Sequence, residues 1–455
     1  MLVIISDIHL GDGTCGMSIS SAAFHLFTDR LKELARNASQ RADGVYRPLG
    51  TIDILMLGDI LDVLHSTLWL EKDQGQPGYV RPWTDFRLPE FPAKIREITR
   101  SILENNRESV ASLKDLTSGT SVTVPPATPE GKMDERSPEI PVKVRLHYTV
   151  GNHDWYYHLP GPAFDKIRSE IIEALGLFNS PKPFPHDLRE SNFLSTLLDS
   201  YEVIAQHGDI YDPFNYDKTH GRDASSLGDA VAVEIINRFP VEVQSKFGND
   251  LPPSIVENLR QLVNVRPVLA TPLWISSQLR QNNIPAAEQK KVKALWDEIC
   301  DNFLKIKFVQ AGDIPYNLNI VEGLETIIRL TDRVSFQTVD TLVAWIRNTF
   351  GSGEITFARH ALREEAFLDR KARFVVYGHT HHYEVVPLDS FPGLHGPVNQ
   401  MYMNSGTWHT YFDLAINMPE EQKFIPYQVL TYLTFYKDDE RQGRRYETWS
   451  GTFSG

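Results

Sequence analysis

The chain has 455 residues and carries 46 Lys and Arg against 59 Asp and Glu, so its formal net charge is −13 at pH 7. Hydrophobic residues make up 41% and charged residues 23% of the sequence, which excludes a wholly disordered or collagen-like chain. The length allows about three domains. The acidic balance argues against non-specific nucleic-acid binding, because such binding depends on Lys and Arg that neutralise phosphates.

Cysteine content and hydropathy indicate the compartment. The two cysteines, Cys15 and Cys300, are too few for a disulfide framework, which favours a reducing environment. The first residues have no basic region and reach Asp7 after a short apolar run, unlike a signal peptide. No stretch approaches the ~20 apolar residues of a membrane-spanning helix. We therefore expect a cytoplasmic protein without a transmembrane segment.

Five apolar runs each end in a cluster of polar residues. Short runs rich in β-branched residues and bounded by turn residues predict buried strands. The runs and the clusters that follow them are 2–6 with Asp7 and His9, 52–57 with Gly58 and Asp59, 144–150 with Gly151 to Asp154, 201–206 with His207 to Asp209, and 373–377 with Gly378 to His381. Since open α/β sheets bind ligands at the carboxyl ends of their strands, the pattern predicts an α/β protein with one composite site.

Helices are predicted between the strands. The first covers 21–37, with Ser20 or Ser21 as its cap, and the second covers 162–176. Apolar residues recur in them at three- and four-residue steps, at Phe24, Phe27, Leu31 and Leu34 and at Phe164, Ile167, Ile171 and Leu175. Strand–helix–strand order favours an α/β architecture.

Two long insertions divide the predicted core, which comprises 1–65, 143–215 and 371–455. The insertion 66–142 contains a helical stretch at 93–115, and its Ser-, Thr- and Pro-rich part, 118–141, is predicted to be a mobile loop. The insertion 216–370 is predicted to be a helical cap. Its helical segments are 226–238, 254–265, 286–306, 336–349 and 357–369. Closing strands are predicted at 400–404 and 425–436.

The polar residues after the strands form a mixed nitrogen and oxygen donor set. Carboxylate, imidazole and amide oxygen suit borderline and harder transition ions, with Mn²⁺ favoured and Fe or Zn²⁺ as alternatives. Seven donors are too many for one tetrahedral ion but suit two ions that share a carboxylate, and Asp59 in its Gly-Asp turn is the natural bridge. The predicted metal ligands are Asp7, His9, Asp59, Asn152, His207, His379 and His381.

This donor set predicts phosphoryl chemistry. Two ions ~3.5–4 Å apart can hold a bridging hydroxide and clamp a phosphoryl group for in-line attack. His153 follows the ligand Asn152, so we expect it to protonate the leaving oxygen as a general acid. Asp154 is expected to orient the His153 ring and to raise its basicity. Asp62 is expected either to support the site or to begin a helix.

The motifs DIH, GD, GNHD, HGD and GHTH, in this order, resemble the signature of the calcineurin-like metallophosphoesterase superfamily. The resemblance covers 1–62, 143–215 and 371–408 and implies an αββα sandwich with a binuclear metal centre. It implies one ion held by Asp7, His9, Asp59 and His381 and a second held by Asp59, Asn152, His207 and His379. It also implies that His153 is the catalytic histidine and that Asp154 supports it.

Further motifs resemble one branch of this superfamily. GDILD (58–62), the HGD motif and SGTWH (405–409) are similar to the UDP-2,3-diacylglucosamine pyrophosphohydrolases, which also carry a helical insertion after the fourth motif. A phosphate-bearing substrate needs cations, and Arg offers bidentate contacts. The candidates lie where the cap begins, and solvated surface charge is the alternative role for them. They are Lys218, His220, Arg222 and Arg238.

The sequence thus predicts a binuclear metal-dependent phosphohydrolase that acts on a small phosphoester or pyrophosphate. One alternative is a nuclease of the same superfamily, although the net charge of −13 argues against the basic groove that it needs. Another alternative is a binding module that has lost its catalytic activity. Activity on phosphoesters in the presence of Mn²⁺, on DNA, or on neither separates the three hypotheses.

Overall fold

The computed structural model describes residues 1–266, 270–311, 353–393, 396–415 and 421–453. In these ranges the chain is a mixed α/β protein, as the sequence predicts. Its strands are β1 (Leu2–Ile5), β2 (Thr51–Leu57), β3 (Thr123–Val124), β4 (Ile140–Pro141), β5 (Lys143–Thr149), β6 (Val203–Ala205), β7 (Val265–Arg266), β8 (Phe374–Tyr377), β9 (Tyr383–Gly393), β10 (Gly396–Ser405), β11 (Trp408–Leu414), β12 (Phe424–Phe435) and β13 (Tyr446–Phe453).

Of the helices in the described ranges, three lie in the core, two in the first insertion and eight in the second. They are α1 (Ser21–Ala38), α2 (Glu90–Asn105), α3 (Arg107–Leu116), α4 (Pro162–Leu175), α5 (Asn192–Asp199), α6 (Leu227–Val231), α7 (Arg238–Phe247), α8 (Pro253–Arg260), α9 (Thr271–Gln281), α10 (Ala286–Phe303), α11 (Lys307–Ala311), α12 (Gly353–Ala361) and α13 (Glu365–Leu368). Within the described ranges, no helix combines the length and the apolar character that crossing a membrane requires.

The strands form two mixed sheets and a short separate pair, β3 with β4. The first sheet has seven strands in the order β5-β2-β1-β12-β11-β7, with β13 paired to β12. In it β1, β2 and β5 run parallel, whereas β12 is antiparallel to β1. The second sheet has the order β6-β8-β10-β9, and β6, β8 and β10 run parallel. All five strands predicted from apolar runs are present, three in the first sheet and two in the second.

The two sheets face each other across one layer of buried side chains. Leu55 of the first sheet belongs to the same hydrophobic cluster as Val203 and Val376 of the second. The rings of Phe374 and Phe435, one from each sheet, lie 5.1 Å apart. This packing joins the sheets into one core and brings their strand ends to a common region.

Helices cover the outer faces of both sheets. Since side chains alternate along a strand, Val3 and Ile5 point away from the second sheet and pack with residues of α1 to α4. On the far side, Ala358 of α12 and Phe367 of α13 form a cluster with Val375 of β8. The layers therefore run helix, sheet, sheet, helix.

Both helices predicted for the core are confirmed. α1 begins after Ser20, whose side chain accepts a hydrogen bond from the backbone N–H of Ala22. α4 begins with a proline and ends at Gly176, which adopts a left-handed conformation. The predicted apolar faces of both helices are buried.

The first insertion packs onto the core. The predicted helical stretch 93–115 consists of α2 and α3, which are separated at Asn106 because its backbone leaves the helical region, with φ −110° and ψ 30°. Both helices pack in the same cluster as α1 and α4. The stretch 118–141 contains the paired strands β3 and β4.

Helices α6 to α11 share a second hydrophobic cluster that includes Phe239, Trp274 and Trp296. A π-helical segment, Ala232–Asn237, joins α6 to α7, so the helix predicted at 226–238 continues to Phe247. The segments at 254–265 and 286–306 are largely helical, and the segment at 357–369 is divided between α12 and α13. The segment at 336–349 lies outside the described residues. Three described helices, α5, α9 and α11, were not predicted, nor were the strands β3, β4, β7, β9, β11 and β13.

Candidate metal centre

The predicted metal ligands follow the carboxyl ends of parallel strands in both sheets. The first sheet contributes the residues after β1, β2 and β5, and the second sheet those after β6 and β8. In this order they are Asp7 and His9, Asp59, Asn152, His207, and His379 and His381. The structure brings these side chains together in two groups that share one residue.

The first group consists of Asp7, His9, Asp59 and His381, whose donor atoms all lie within 4.8 Å of one another. His9 Nε2 lies 3.1 Å from His381 Nε2 and 3.8 Å from Asp59 Oδ2. Asp7 Oδ1 lies 3.2 Å from His381 Nε2. Two imidazole nitrogens and two carboxylate oxygens therefore converge on one small volume.

The second group consists of Asp59, His207 and His379, together with Asn152. His207 Nε2 lies 3.2 Å from Asp59 Oδ2 and 3.2 Å from Asn152 Oδ1. His379 Nδ1 lies 2.9 Å from the same amide oxygen. This group again presents two imidazole nitrogens and two oxygens.

Asp59 belongs to both groups through a single atom. Its Oδ2 faces His9 on one side and His207 on the other, while its Oδ1 accepts a hydrogen bond of 2.8 Å from the backbone N–H of His153. The preceding Gly58 has φ +84°, and a Cβ there would lie 2.5 Å from His207 Nδ1. The position before the shared carboxylate therefore requires glycine.

Most of the ligand residues have strained backbones. Non-glycine residues rarely adopt positive φ, and each such residue costs of order 1–3 kcal/mol. Five of the predicted ligands have φ between 49° and 68°: Asp7, His9, Asp59, His379 and His381. Such strain clusters where function fixes the direction of a side chain, and its concentration here supports a functional role for both groups.

Two histidines of the second group are held by a partner on their other ring nitrogen. His207 Nδ1 donates to the backbone carbonyl of Leu57 at 2.9 Å, which leaves Nε2 to face the group. His379 Nε2 donates to Asp212 Oδ2 at 3.0 Å, which leaves Nδ1 facing Asn152. Metal-binding histidines are oriented in this way in proteins, because the outer partner fixes the tautomer.

Asp62 is the outer carboxylate of the first group. Its oxygens lie 3.0 Å from His9 Nδ1, 3.0 Å from His153 Nδ1 and 2.9 Å from His65 Nδ1. Its Oδ1 also accepts the backbone N–H of His65 at 3.0 Å, so Asp62 begins a turn as well. Of the two predicted roles, Asp62 therefore has the supporting one, whereas the next helical segment, Thr67–Leu70, is capped by Ser66 and not by Asp62.

The prediction that Asp154 orients the ring of His153 is wrong. Asp154 accepts hydrogen bonds from the hydroxyl of Tyr148 at 2.7 Å and from the backbone N–H groups of Gly151 and Ile60 at 2.6 and 2.9 Å. Its carboxylate is therefore turned into the protein and ties the loop after β5 to the loop after β2. The ring of His153 is held by Asp62 instead.

The protonation of the site reflects a dense set of buried carboxylates. Burial lowers the pKa of His153 and of His207, but the carboxylates around them outweigh this effect and raise the pKa to about 9 and about 10. Burial also raises the pKa of Asp59, and here the neighbouring histidines outweigh it and hold the pKa well below its usual range. The site therefore attracts positive charge.

The two groups fit divalent metal ions. Asp7 Oδ1 is fully buried and makes no hydrogen bond within the described residues, whereas buried polar atoms nearly always have a partner. A cation among the first group would satisfy this oxygen. Imidazole, carboxylate and amide donors without thiolates suit Mn²⁺, Fe and Zn²⁺. The groups can thus bind metal ions.

The four cations predicted to contact substrate are not brought together. Arg238 pairs with Glu234 on its own helical segment, and Arg222 pairs with Asp209 at 2.7 Å. His220 is largely exposed, and its Nδ1 lies 2.6 Å from Asp217 Oδ2. The remaining predicted residue, Lys218, lines a cavity together with His220. Arg238 and Arg222 are thus both paired with carboxylates of the protein, and contact of the four residues with a substrate stays a prediction.

Among the described residues, the cavity lined by Lys218 has a volume of about 630 Å³. Its apolar lining includes Trp83, Trp155 and Phe308. Trp155 directly follows the loop that carries Asn152 and His153. Tyr211 and Pro213 of the lining flank Asp212, which holds His379. The lining of the cavity therefore includes chain neighbours of two residues at the metal centre, His153 and Asp212.

Arg266, which was not predicted to lie at the site, and His409 of the SGTWH motif both lie beside the first group. Arg266 Nη2 lies 3.4 Å from His381 Nδ1, and within the described residues this guanidinium pairs with no carboxylate. His409 is buried, with its ring 5.3 Å from that of His9. Only the pairing of β7 with β11 places Arg266 here, so no local motif in the sequence indicates it.

The geometry of these residues is the basis for any assignment of function. No protein-family model matches the chain, and a search of curated proteins finds no match to it.

Proposed function

We propose that this protein is a hydrolase of phosphoester or pyrophosphate bonds that uses two divalent metal ions, one in each group. The observation that carries the proposal is the single carboxylate oxygen, Asp59 Oδ2, that faces both donor groups. Two ions that share one carboxylate are typical of enzymes that displace an oxygen from phosphorus. The helix, sheet, sheet, helix layering supports an αββα sandwich of the metallophosphoesterase type.

When bound, such ions activate water for attack on phosphorus and stabilise charge on the phosphoryl oxygens. His153 supplies the proton that the leaving oxygen needs as its bond to phosphorus breaks. Its Nδ1 is held by Asp62, and its Nε2 makes no hydrogen bond within the described residues. The side chain remains 15% exposed, so Nε2 is accessible to a substrate. Because Asp62 accepts the Nδ1 proton, Nε2 carries a proton only in the charged ring, and the surrounding carboxylates favour that form by raising the pKa of His153 to about 9. The charged ring and its exposure suit a general acid.

The organic part of the substrate has a place in the cavity that adjoins the centre. An apolar lining with a few polar groups is typical of small-molecule sites, and a volume of about 630 Å³ lies in their usual range. Trp83 and Phe308, stacked with their centroids 5.0 Å apart, provide flat apolar surface. A phosphorylated small molecule with an apolar or aromatic leaving group fits this arrangement best.

Metal removal tests the proposal. We expect protein that has been treated with a chelator and dialysed to lose its hydrolysis of p-nitrophenyl phosphate or bis-p-nitrophenyl phosphate. Mn²⁺ should restore the activity, because the ions activate the attacking water. The comparison of monoester, diester and pyrophosphate rates identifies the substrate class. Activity that survives chelation, with no metal found by mass spectrometry, would rule out the proposed mechanism.

Arg266 is expected to contribute to phosphate binding. Its guanidinium, which pairs with no carboxylate of the described residues, lies beside His381, and a hydrogen bond to a charged group contributes about 1.5–3 kcal/mol. Arg266→Gln is therefore expected to raise KM roughly 10- to 100-fold, with a smaller change in kcat. The matched control is Arg238→Gln, which removes a guanidinium that Glu234 neutralises within the cap. Equal KM values for the two variants would contradict this role.

A further inference from the structure

A second set of metal-competent side chains lies outside the candidate metal centre. We call it the outer cluster, and it consists of His158, His186, Glu190 and Asp223. His158 lies in the short helix Trp155–His158, which follows the loop of Asn152 and His153, called the catalytic loop below. Glu190 lies in the short helix Leu188–Glu190. Neither the predicted ligand set nor the predicted substrate contacts include any of these residues.

Two imidazole rings converge on one oxygen in this cluster. The rings of His158 and His186 have centroids 4.3 Å apart. His158 Nδ1 lies 2.6 Å and His186 Nε2 lies 3.4 Å from the same Asp223 Oδ1. One donor atom from each of these three residues lies within 4.8 Å of the others. They come from three separate segments, so the convergence is a product of the fold.

The spacing suits a small divalent ion. Bonds of about 2.0–2.1 Å from zinc to nitrogen and oxygen, at tetrahedral angles, put neighbouring ligand atoms ~3.3 Å apart. The distance of 3.4 Å between His186 Nε2 and Asp223 Oδ1 matches this value. His158 Nδ1 now lies 2.6 Å from Asp223 Oδ1. To reach the ligand spacing it must move away from this oxygen by about 0.7 Å when an ion enters.

Glu190 supplies the outer support that a metal-binding histidine needs. Its Oε2 lies 3.4 Å from His158 Nε2, the nitrogen that faces away from Asp223. The same oxygen accepts the backbone N–H of His186 at 2.9 Å. One carboxylate thus fixes the ring of one histidine and the backbone of the other, as outer carboxylates do in metal sites.

The cluster is accessible and connected to the centre. The Asp223 side chain is 42% exposed, whereas that of His186 is 2% exposed, so an ion can enter from the side of Asp223. The neighbouring Arg222 binds Asp209, which lies two residues after His207. An ion here would link the segment after the catalytic loop to the segment at the base of the cap.

We propose that the outer cluster binds one further divalent transition-metal ion, with Zn²⁺ as the best-suited ion, through His158 Nδ1, His186 Nε2 and Asp223 Oδ1. Three protein ligands leave the fourth tetrahedral position for water. The ion fixes the base of the cap against the segment that carries His153. None of its ligands belongs to the candidate metal centre, so ion binding here can be tested apart from hydrolysis, although Asp223 also lines the cavity described above.

Zinc counts on matched variants test the proposal. Each protein is stripped of metal, equilibrated with Zn²⁺, freed of unbound ion and analysed by mass spectrometry for zinc per chain. We expect Asp223→Asn to hold one ion fewer than the unaltered protein. We expect Asp59→Asn, which disrupts the candidate metal centre, to keep that ion. The control is Asp217→Asn. It removes a carboxylate of the same loop that pairs with only one imidazole, that of His220, and we expect it to leave the zinc count unchanged.

The outcomes separate this site from the proposed function. Asp223→Asn with a full zinc count would overturn the outer site, and so would diffraction at the zinc edge without a peak between His158 and His186. The outer site is supported if Asp59→Asn retains zinc and the double variant Asp59→Asn/Asp223→Asn does not. This result would hold even if the protein hydrolysed no phosphoester. Because Asp223 is partly exposed, its variant is expected to fold, which circular dichroism checks before the count.

Discussion

Asp59→Asn is expected to abolish both metal binding in the candidate centre and hydrolysis. Asp59 Oδ1 accepts the backbone N–H of His153, so the asparagine oxygen will keep this place. Its NH2 group must then occupy the position of Oδ2, where both donor groups converge. This places positive partial charges toward both ions. Because changes to outer partners alone cost about 10- to 100-fold, we expect the loss of activity to exceed ~100-fold.

The matched control for this variant lies on β2, the strand that precedes Asp59. Asp53 in β2 is also buried and accepts hydrogen bonds from a histidine, His147, and from Arg145, but it lies toward the opposite end of the strand. Asp53→Asn is expected to lower the melting temperature while the folded protein keeps its metal and its kcat. Metal analysis and rate measurements on both variants provide the comparison. An Asp59→Asn protein with unchanged metal content and rate would refute the shared-carboxylate centre.

His153→Gln is expected to slow hydrolysis while the bound metal remains. General acid catalysis contributes about 10²- to 10⁴-fold, so the loss should fall in this range for esters with poor leaving groups. For p-nitrophenyl esters we expect a smaller loss, because p-nitrophenolate leaves without a proton. The measurement is the ratio of kcat values for an alkyl ester and a p-nitrophenyl ester, together with metal content.

Asp62 links this prediction to the geometry of the site. Asp62→Asn removes the charge that holds His153 and is expected to lower kcat. In the His153→Gln background the same change should lower kcat by a smaller factor, because part of its effect acts through His153. His65→Gln is the control, since His65 contacts the same carboxylate and should have a smaller effect. Equal losses for both leaving groups in His153→Gln would contradict the general-acid role.

The strands and their polar ends could be predicted because each signal is local. An apolar run followed by Gly58 and Asp59, for example, specifies both a buried strand and a tight turn. The predicted ligands therefore come together as expected. β9 was missed for the opposite reason: it is the edge strand of the second sheet, none of its residues is fully buried, and they carry no strong apolar pattern.

The outer partners of the ligands could not be predicted from local sequence. Asp154 is the residue next to His153, yet the turn after β5 directs its carboxylate to backbone donors. Asp62 and Asp212 reach the histidines only because the loops after several strands meet in space. Such contacts depend on tertiary packing, so residue spacing along the chain gives no sign of them.

The left-handed backbone of the ligand residues has a consequence for protein engineering. At Asp7, Asp59 or His381, replacement by glycine would remove an unfavourable conformation, but it would also remove a metal donor. Selection for heat resistance alone should therefore favour variants that are more stable and inactive. The positions that emerge from such a selection would trace the outline of the centre without any assay of catalysis.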